Sequence, residues 1–93
     1  MILQGKNVLI TGATGGLGAS LARAYLEKGC NLFLTGSDDE KLETLRTNLR
    51  ETYKDTKILC KSCDLRDYMD ILLFSKDVKD SLNHIDVLVN CAG

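Results

Sequence analysis

The sequence has no proline, and no segment of it is dominated by one or two residue types. We find no internal repeat and no linker, so the 93 residues are enough for one small domain, 1–93. Hydrophobic residues make up 44% and charged residues 27%, which is typical of a soluble globular protein.

Long apolar runs and clusters of basic residues are also absent. No run approaches the roughly 20 residues that span a bilayer, so we expect no membrane partner. The net charge is −1 with no basic block, which argues against nucleic acid as a partner. The first ten residues, MILQGKNVLI, lack the pattern of a signal peptide, and we therefore predict a cytoplasmic location.

Residues that commonly hold metals are few. The single histidine, His84, falls in a predicted turn and is interpreted as a solvated loop residue. Without a secretory signal the four cysteines are expected to be reduced. Cys60 and Cys63 have the CxxC spacing of redox and zinc sites, but positions three apart on a strand face opposite sides. No second ligand pair accompanies them, so we predict structural cysteines and no metal site.

Strand-like and helix-like patterns alternate along the chain. Compact apolar runs predict strands at 7–11, 30–36, 56–64 and 85–93. Apolar residues at helical spacing predict helices at 16–28, 37–53 and 65–82. The order β-α-β-α-β-α-β predicts an α/β protein with a parallel sheet, the first part of a doubly wound dinucleotide-binding fold. The apolar first and fourth strands are predicted to be buried on both faces.

Signals for helix ends agree with these boundaries. Gly29 stands where the first helix should end, and Asn83 is a candidate left-handed cap for the third. Ser37 and Glu40 fit a capping box at the start of the second helix.

Glycines are concentrated directly after the first strand, in the stretch TGATGGLG from Thr11 to Gly18. A glycine-rich loop between a strand and a helix is the setting for a dinucleotide pyrophosphate, which lies at the helix N-terminus. Gly12 would permit the tight turn, while Gly16 and Gly18 would allow close approach of phosphate and close packing of the helix. The alternative is a purely structural turn; a P-loop is excluded because no Gly-Lys-Ser or Gly-Lys-Thr closes the motif.

With these motifs the sequence resembles the short-chain dehydrogenase/reductase family over its whole length. The first motif fits the classical TGxxxGxG and the extended TGxxGxxG patterns equally well. The stretch CDLRD places Asp64 and Leu65 where the family holds adenine. VLVNCAG resembles the Asn-Asn-Ala-Gly of the classical branch, with Cys91 in place of the second Asn. Cysteine cannot reproduce the donors and acceptor of that amide, so only a main-chain contact to the ribose would survive.

The resemblance implies a Rossmann-type fold with strand order 3-2-1-4 and a set of cofactor-binding residues. The set is Gly12, Thr14, Gly15, Gly16, Leu17, Gly18, Ser37, Asp64, Leu65, Asn90, Ala92 and Gly93.

The choice between NAD and NADP depends on the end of the second strand. By resemblance the deciding positions are Gly36 and Ser37, and there is no acid at Gly36 to repel a 2′-phosphate. Ser37 can donate a hydrogen bond to that phosphate. Asp38 lies near the count at which the general fold binds a ribose hydroxyl, and is otherwise a helix-start residue. We predict NADP.

The family's catalytic Ser, Tyr and Lys have no counterparts here. Tyr53 and Lys57 have the four-residue spacing, but they fall at the wrong end of the predicted sheet and are interpreted as a coincidence. We therefore expect the nucleotide-binding half of a longer NADP-dependent oxidoreductase, nearest in look to 3-oxoacyl-acyl-carrier-protein reductases. A small-molecule or acyl-carrier substrate would bind only the full-length form. The alternative is a stand-alone, non-catalytic nucleotide-binding or interaction module.

In the implied fold, helices 1 and 2 cover one face of the sheet and helix 3 the other. Strand 4 is then an edge with unpaired backbone groups. We expect the 93-residue chain to self-associate through this strand.

Overall fold

Helices and strands alternate along the chain, as the sequence predicts. The computed structural model describes residues 2–91. Its elements are β1 (Asn7–Thr11), α1 (Gly16–Glu27), β2 (Asn31–Leu34), α2 (Asp39–Thr52), β3 (Ile58–Cys60), α3 (Tyr68–Leu82) and β4 (Val87–Asn90). Across these residues, none of the helices has the length and apolar character needed to cross a membrane.

The strands form one parallel sheet in the order β3-β2-β1-β4, which confirms the predicted fold. β1 lies inside the sheet, with Leu9 in register with Phe33 of β2 and Leu88 of β4. Parallel neighbours need a crossover connection, and each connection here contains one helix. All the carboxyl ends of the strands therefore lie along one edge of the sheet, where ligands bind in this class of fold.

Each face of the sheet has its own hydrophobic core. On one face, α1 and α2 pack against the strands through the buried side chains Ala22, Leu26, Leu42 and Leu49. On the other face, α3 packs through Phe74, Val78 and Leu82. Phe33 of β2 meets Phe74 edge-to-face, with ring centroids 5.3 Å apart. The predicted distribution of helices over the two faces is confirmed.

Helix α2 begins one residue later than its predicted capping box. The Asp38 carboxylate accepts a hydrogen bond from the Lys41 backbone N–H at 3.1 Å, which makes Asp38 the N-cap. The predicted box of Ser37 and Glu40 is therefore wrong. Asp38 and Ser37 compete for the same role, and a carboxylate accepts a stronger, charge-assisted hydrogen bond than a hydroxyl.

Helices α1 and α3 end at residues with left-handed backbone, as predicted. Gly29 has a φ of 80° and follows α1 by two residues, and its N–H donates to the Leu26 carbonyl at 2.9 Å. Asn83 directly follows α3 and has a φ of 70°, which asparagine tolerates better than most residues.

The outer strands are shorter than the sequence predicts, and β4 is only half covered. Val87 and Val89 pack against the α1/α2 core, whereas Leu88 on the other face is 64% exposed. The prediction that β4 is buried on both faces is therefore wrong. β4 is an edge strand in residues 2–91, so it has a neighbour on one side only; Leu88 lies on the α3 face of the sheet, in register with Leu9, but is not among the side chains packed in the α3 core.

Asn7, at the start of β1, connects it to the end of α3 and the start of β4. The buried Asn7 amide donates to the carbonyl oxygens of Leu82 and His84, both at 3.0 Å. Its backbone N–H donates to the Asp86 carboxylate at 2.8 Å. This hydrogen bond holds the pKa of Asp86 below its usual range, because it favours the charged form, and His84 Nε2 at 3.2 Å adds to the effect. We call these four residues the amino-edge clasp.

Candidate functional site

An open cleft of about 600 Å³ lies at the carboxyl ends of β1, β2 and β3. Three strand ends with their loops form its wall: Thr11, Gly12 and Thr14 at β1, Thr35, Gly36 and Ser37 at β2, and residues 62–66 with Asp70 after β3. This is the edge at which α/β sheets bind ligands, so the cleft is the candidate site.

The loop between β1 and α1 turns tightly and is tied to β2. Gly12 has a φ of 62°, a conformation that favours glycine. The N–H of buried Ala13 donates to the Thr35 carbonyl at 3.0 Å, and the Thr35 N–H donates back to Ile10 at 3.0 Å. The end of β2 therefore sets the position of the glycine loop.

Gly16 and Gly18, in the first turn of α1, have different structural roles. A Cβ on Gly18 would lie 2.5 Å from the Gly12 carbonyl oxygen and 2.7 Å from Ala13 Cα, so only glycine lets α1 pack this closely on the loop. A Cβ on Gly16 would meet nothing within 4 Å. The first turn of α1 has no acidic residue, and its N-cap, Gly15, supplies no side-chain hydrogen bond. The positive end of the helix dipole and the open space at Gly16 therefore suit an anion.

At the end of β2, the cleft wall is uncharged. A Cβ on Gly36 would lie 3.7 Å from Thr14 Oγ1, in ordinary contact, and Ser37 follows it. Asp38 caps α2, which favours its helix-start interpretation over a ribose-binding one. Thr35 is 2% exposed, and its hydroxyl has no hydrogen-bond partner in residues 2–91. The wall therefore offers polar but uncharged groups to a ligand.

After β3, the charged residues of the cleft bond to one another. Asp70 accepts the Asp64 backbone N–H at 2.7 Å, and Asp64 accepts the Arg66 guanidinium Nε at 3.1 Å. The hydrogen bonds from Arg66 lower the pKa of Asp64, so its carboxylate is an acceptor at neutral pH. Leu65 is half exposed beside them.

The structure brings many of the predicted site residues together. Gly12, Thr14, Ser37, Asp64 and Leu65 line the cleft. Gly15, Gly16, Leu17 and Gly18 form the adjoining N-cap and first turn of α1. Asn90 ends β4, where its amide oxygen accepts the Thr11 hydroxyl at 2.8 Å. Ala92 and Gly93 lie outside the described residues.

Sequence reasoning did not assign Thr11, Thr35, Ser62, Cys63, Arg66 or Asp70 to the cofactor site, although all of them line the cleft. The sequence signal that could have found two of them is proximity to Asp64. Arg66 lies in the same CDLRD motif, and Asp70 lies in the first turn of the helix that follows.

Tyr53 and Lys57 lie away from the cleft. The Tyr53 hydroxyl donates to Glu27, at the end of α1, at 2.5 Å. Lys57 Nζ donates to the Ser81 carbonyl, near the end of α3, at 3.4 Å. Both partners are at the amino-terminal edge of the sheet, so this pair contributes nothing to the cleft.

Cys60 and Cys63 face two different cores, as predicted, although β3 ends at Cys60 and Cys63 lies in the loop that follows it. Cys60 packs against the α1/α2 core and Cys63 is buried in the α3 core. Burial and a hydrogen bond to Glu43 raise the pKa of Cys60 to about 11, which opposes the thiolate that metal binding requires. Among residues 2–91 no three metal-ligating side chains come together, and all four cysteines are free thiols.

Sequence comparison identifies relatives among reductases and dehydrogenases. The family model for short chain dehydrogenase matches residues 6–93. The 3alpha-hydroxysteroid dehydrogenase of Mediterraneibacter gnavus is 33% identical over 93 residues, which are 100% of this chain and 37% of that protein. The chloroplastic chlorophyll(ide) b reductase NOL of Oryza sativa is 32% identical over 87 residues, or 94% of this chain and 25% of the relative.

Solved structures of reductases and dehydrogenases superpose on the chain. L-sorbose reductase from Gluconobacter frateurii, complexed with NADPH and L-sorbose, aligns with a TM-score of 0.90 at 25% identity, over 100% of this chain and 36% of that one. A metagenomic short-chain oxidoreductase in complex with NADP gives 0.88 at 32% identity, over 100% and 41%. NAD⁺-bound xylitol dehydrogenase gives 0.85 at 27% identity, over 95% and 33%. The chain spans between 25% and 41% of the length of these relatives.

Proposed function

Because the chain belongs to the short chain dehydrogenase family, we propose that its cleft binds NADP(H) as part of an oxidoreductase acting on a carbonyl or alcohol. Residues 1–93 are the dinucleotide-binding portion of that enzyme, and the remaining two thirds of the family's length would carry the catalytic residues. The bound cofactor supplies or accepts hydride, and this chain holds and orients it.

The observation that carries the proposal is the meeting of three strand ends at one cleft with an open α1 N-terminus. The space at Gly16 and the helix dipole would hold the pyrophosphate. Asp64 and Leu65, at the opposite wall, would hold the adenine. Asn90, Ala92 and Gly93 would contact the nicotinamide ribose, as the family motif implies.

A preference for NADP over NAD is supported by the wall after β2. No acidic side chain lines it, and Ser37 offers a hydroxyl donor. The solved relatives described above include proteins bound to NADPH, NADP and NAD⁺, so both dinucleotides occur in the family.

Calorimetric titration of the chain with NADP and NAD tests the proposal. We expect saturable binding of both, tighter for NADP. Gly16→Val should abolish binding while the protein stays folded, because the added side chain enters space that nothing in residues 2–91 fills. Equal or tighter binding of NAD would contradict the preference, and no binding of either nucleotide would contradict the function.

The substrate in this proposal is a carbonyl or an alcohol of the full-length form. Reduction of a 3-oxoacyl group on a carrier protein stays a hypothesis from sequence, and the relatives described above act on other substrates by name. The 93-residue chain alone should show no NADPH-dependent carbonyl reduction, since Tyr53, the tyrosine with a lysine four residues later, lies away from the cleft and cannot donate the proton there. Turnover that is lost in Tyr53→Phe would contradict this expectation. No observation favours the stand-alone module.

We also propose that the isolated chain self-associates through β4. β4 is an edge strand that carries the exposed apolar residue Leu88, and such a strand is a template for pairing with another chain. Sedimentation at low micromolar concentration should show dimers or larger species, and Leu88→Lys should shift them to monomer. Ile2→Lys, at another exposed apolar residue, is the matched control. A wild-type monomer with protected β4 amides would contradict the proposal.

We also propose that the protein is located in the cytoplasm. The four free thiols agree with a reducing compartment. Fractionation of cells expressing the full-length form tests it.

A further inference from the structure

Arg66 is the only cationic side chain among the described residues that line the cleft. The other charged lining residues are Asp64 and Asp70. The Arg66 side chain is 92% exposed, so its guanidinium is accessible to a ligand. The wall at Gly36 and Ser37 has no cation, and a phosphate held there would need its positive partner from another loop.

The two carboxylates of the cleft are already engaged. Asp70 accepts the Asp64 backbone N–H at 2.7 Å. Asp64 accepts both the Arg66 backbone N–H, at 2.9 Å, and the guanidinium Nε, at 3.1 Å. The Nη2 group lies at a long 3.5 Å from the second Asp64 oxygen. Because a guanidinium has five N–H donors, Arg66 keeps donors available for a second anion.

We propose that Arg66 selects the 2′-phosphorylated cofactor, an inference that rests on the proposed function. Asp64 holds the guanidinium at the cleft wall on one side, and the remaining donors pair with the 2′-phosphate of the adenosine. Arginine binds phosphate oxygens in a bidentate, charge-assisted manner. Ser37 donates to the same phosphate. A 2′-hydroxyl, as in NAD, carries no charge and gains little from Arg66.

Lys41 is the rival cation near the end of β2. It lines a neighbouring groove with Thr14, and that groove also contains the carboxylates of Asp38 and Glu40. These acids offset the Lys41 charge there. The cleft itself contains Arg66 and not Lys41, and the structure therefore assigns the selectivity to Arg66.

The test compares two nucleotides that differ only by the 2′-phosphate: 2′,5′-ADP and 5′-AMP. Both are titrated into the full chain and into Arg66→Gln, Arg66→Lys and Lys41→Gln by calorimetry. Arg50→Gln, an exposed arginine on α2 outside the cleft, is the matched control. We expect Arg66→Gln to weaken the binding of 2′,5′-ADP about tenfold or more, and to change the binding of 5′-AMP by less than about threefold. Arg66→Lys should keep part of the preference, since it keeps the charge and loses the fork.

The possible outcomes are distinguishable. An equal loss for both nucleotides in Arg66→Gln would show that Arg66 acts only by positioning Asp64, and would overturn the selectivity. A loss of preference in Lys41→Gln with Arg66→Gln unchanged would assign the phosphate to α2 and also overturn it. Wild-type binding of 5′-AMP without a preference for 2′,5′-ADP would refute the inference and leave nucleotide binding intact. Failure of the wild type to bind either nucleotide would refute the proposed function itself and this inference with it.

Discussion

Replacing Gly18 by alanine should destabilise the protein, although alanine is the better helix former. Gly18 lies in the first turn of α1 and packs against the loop that follows β1. The new Cβ would lie 2.5 Å from the Gly12 carbonyl oxygen and 2.7 and 2.9 Å from the Cα and carbonyl carbon of Ala13. All three atoms belong to the backbone, so no side-chain rotation relieves the contact.

The expected loss follows from these distances. Non-bonded carbon atoms are most stable at about 3.5–4.0 Å, so α1 or the loop must shift by about 1 Å. Overpacking of this kind costs about 1–3 kcal/mol, and a clash with three backbone atoms belongs at the upper end. The higher helix propensity of alanine offsets about 1 kcal/mol of this loss. We expect the free energy of unfolding of Gly18→Ala to fall by about 2 kcal/mol.

Urea unfolding followed by circular dichroism measures this change. The control is Gly16→Ala, two residues away in the same helix, where the added Cβ meets nothing within 4 Å. Gly16→Ala should leave the free energy of unfolding unchanged or raise it by about 0.4–1 kcal/mol, because the unfolded chain loses freedom. Its nucleotide affinity should nevertheless fall, since the methyl group enters the space assigned to the pyrophosphate.

The opposite ranking of the two variants would refute the reasoning. If Gly18→Ala unfolds at the wild-type urea concentration, the close approach of α1 to the loop does not require glycine. If Gly16→Ala is the less stable variant, the space at Gly16 is not open in solution.

Two further predictions concern the β2 end and the amino-edge clasp. Thr35→Val should raise the free energy of unfolding by about 1 kcal/mol, because it removes a buried hydroxyl without a partner in residues 2–91. Thr35→Ser, which keeps the hydroxyl, should not raise it. A valine variant less stable than wild type would count against the prediction. Asp86 has a depressed pKa in the folded state, so its contribution to stability is present above the unfolded pKa and is lost as pH falls through the folded value. The stability of the wild type should therefore decline on acidification below about pH 4 more steeply than that of Asp86→Ala, as measured by urea unfolding at a series of pH values. Parallel pH profiles would show that the Asn7–Asp86 hydrogen bond does not stabilise the fold.

Much of the fold is predictable because it depends on periodic burial. The apolar spacing of Phe74, Val78 and Leu82 predicts a helix with one buried face, and the structure buries these residues together. The strand order came from the family resemblance, since periodicity does not say which strands are neighbours. The burial of β4 was mispredicted because an apolar strand sequence suits a central strand, whereas β4 is an edge strand in residues 2–91 and its Leu88 is 64% exposed.

The cleft was predicted less completely than the fold. Gly12 and Asp64 are found from motifs, but the contributions of Thr35 and Arg66 depend on loop conformation, which has no period to read. Arg66 enters the cleft because a short turn lets its backbone N–H and its guanidinium both reach Asp64. The N-cap of α2 was misplaced by one residue for the same reason, because Ser37 and Asp38 both satisfy the sequence rule for that position.

The position of β1 inside the sheet has a consequence for the order in which the protein is made. Of the described strands, β1 leaves the ribosome first, and one of its two neighbours, β4, leaves it last. The Asn7–Asp86 hydrogen bond closes this gap between residues 79 positions apart. Until β4 emerges, one side of β1 stays unpaired in the nascent chain, with Val8, Leu9 and Ile10 along it. Such pairing of distant segments is slow, and an unpaired apolar strand edge is prone to aggregation during that time.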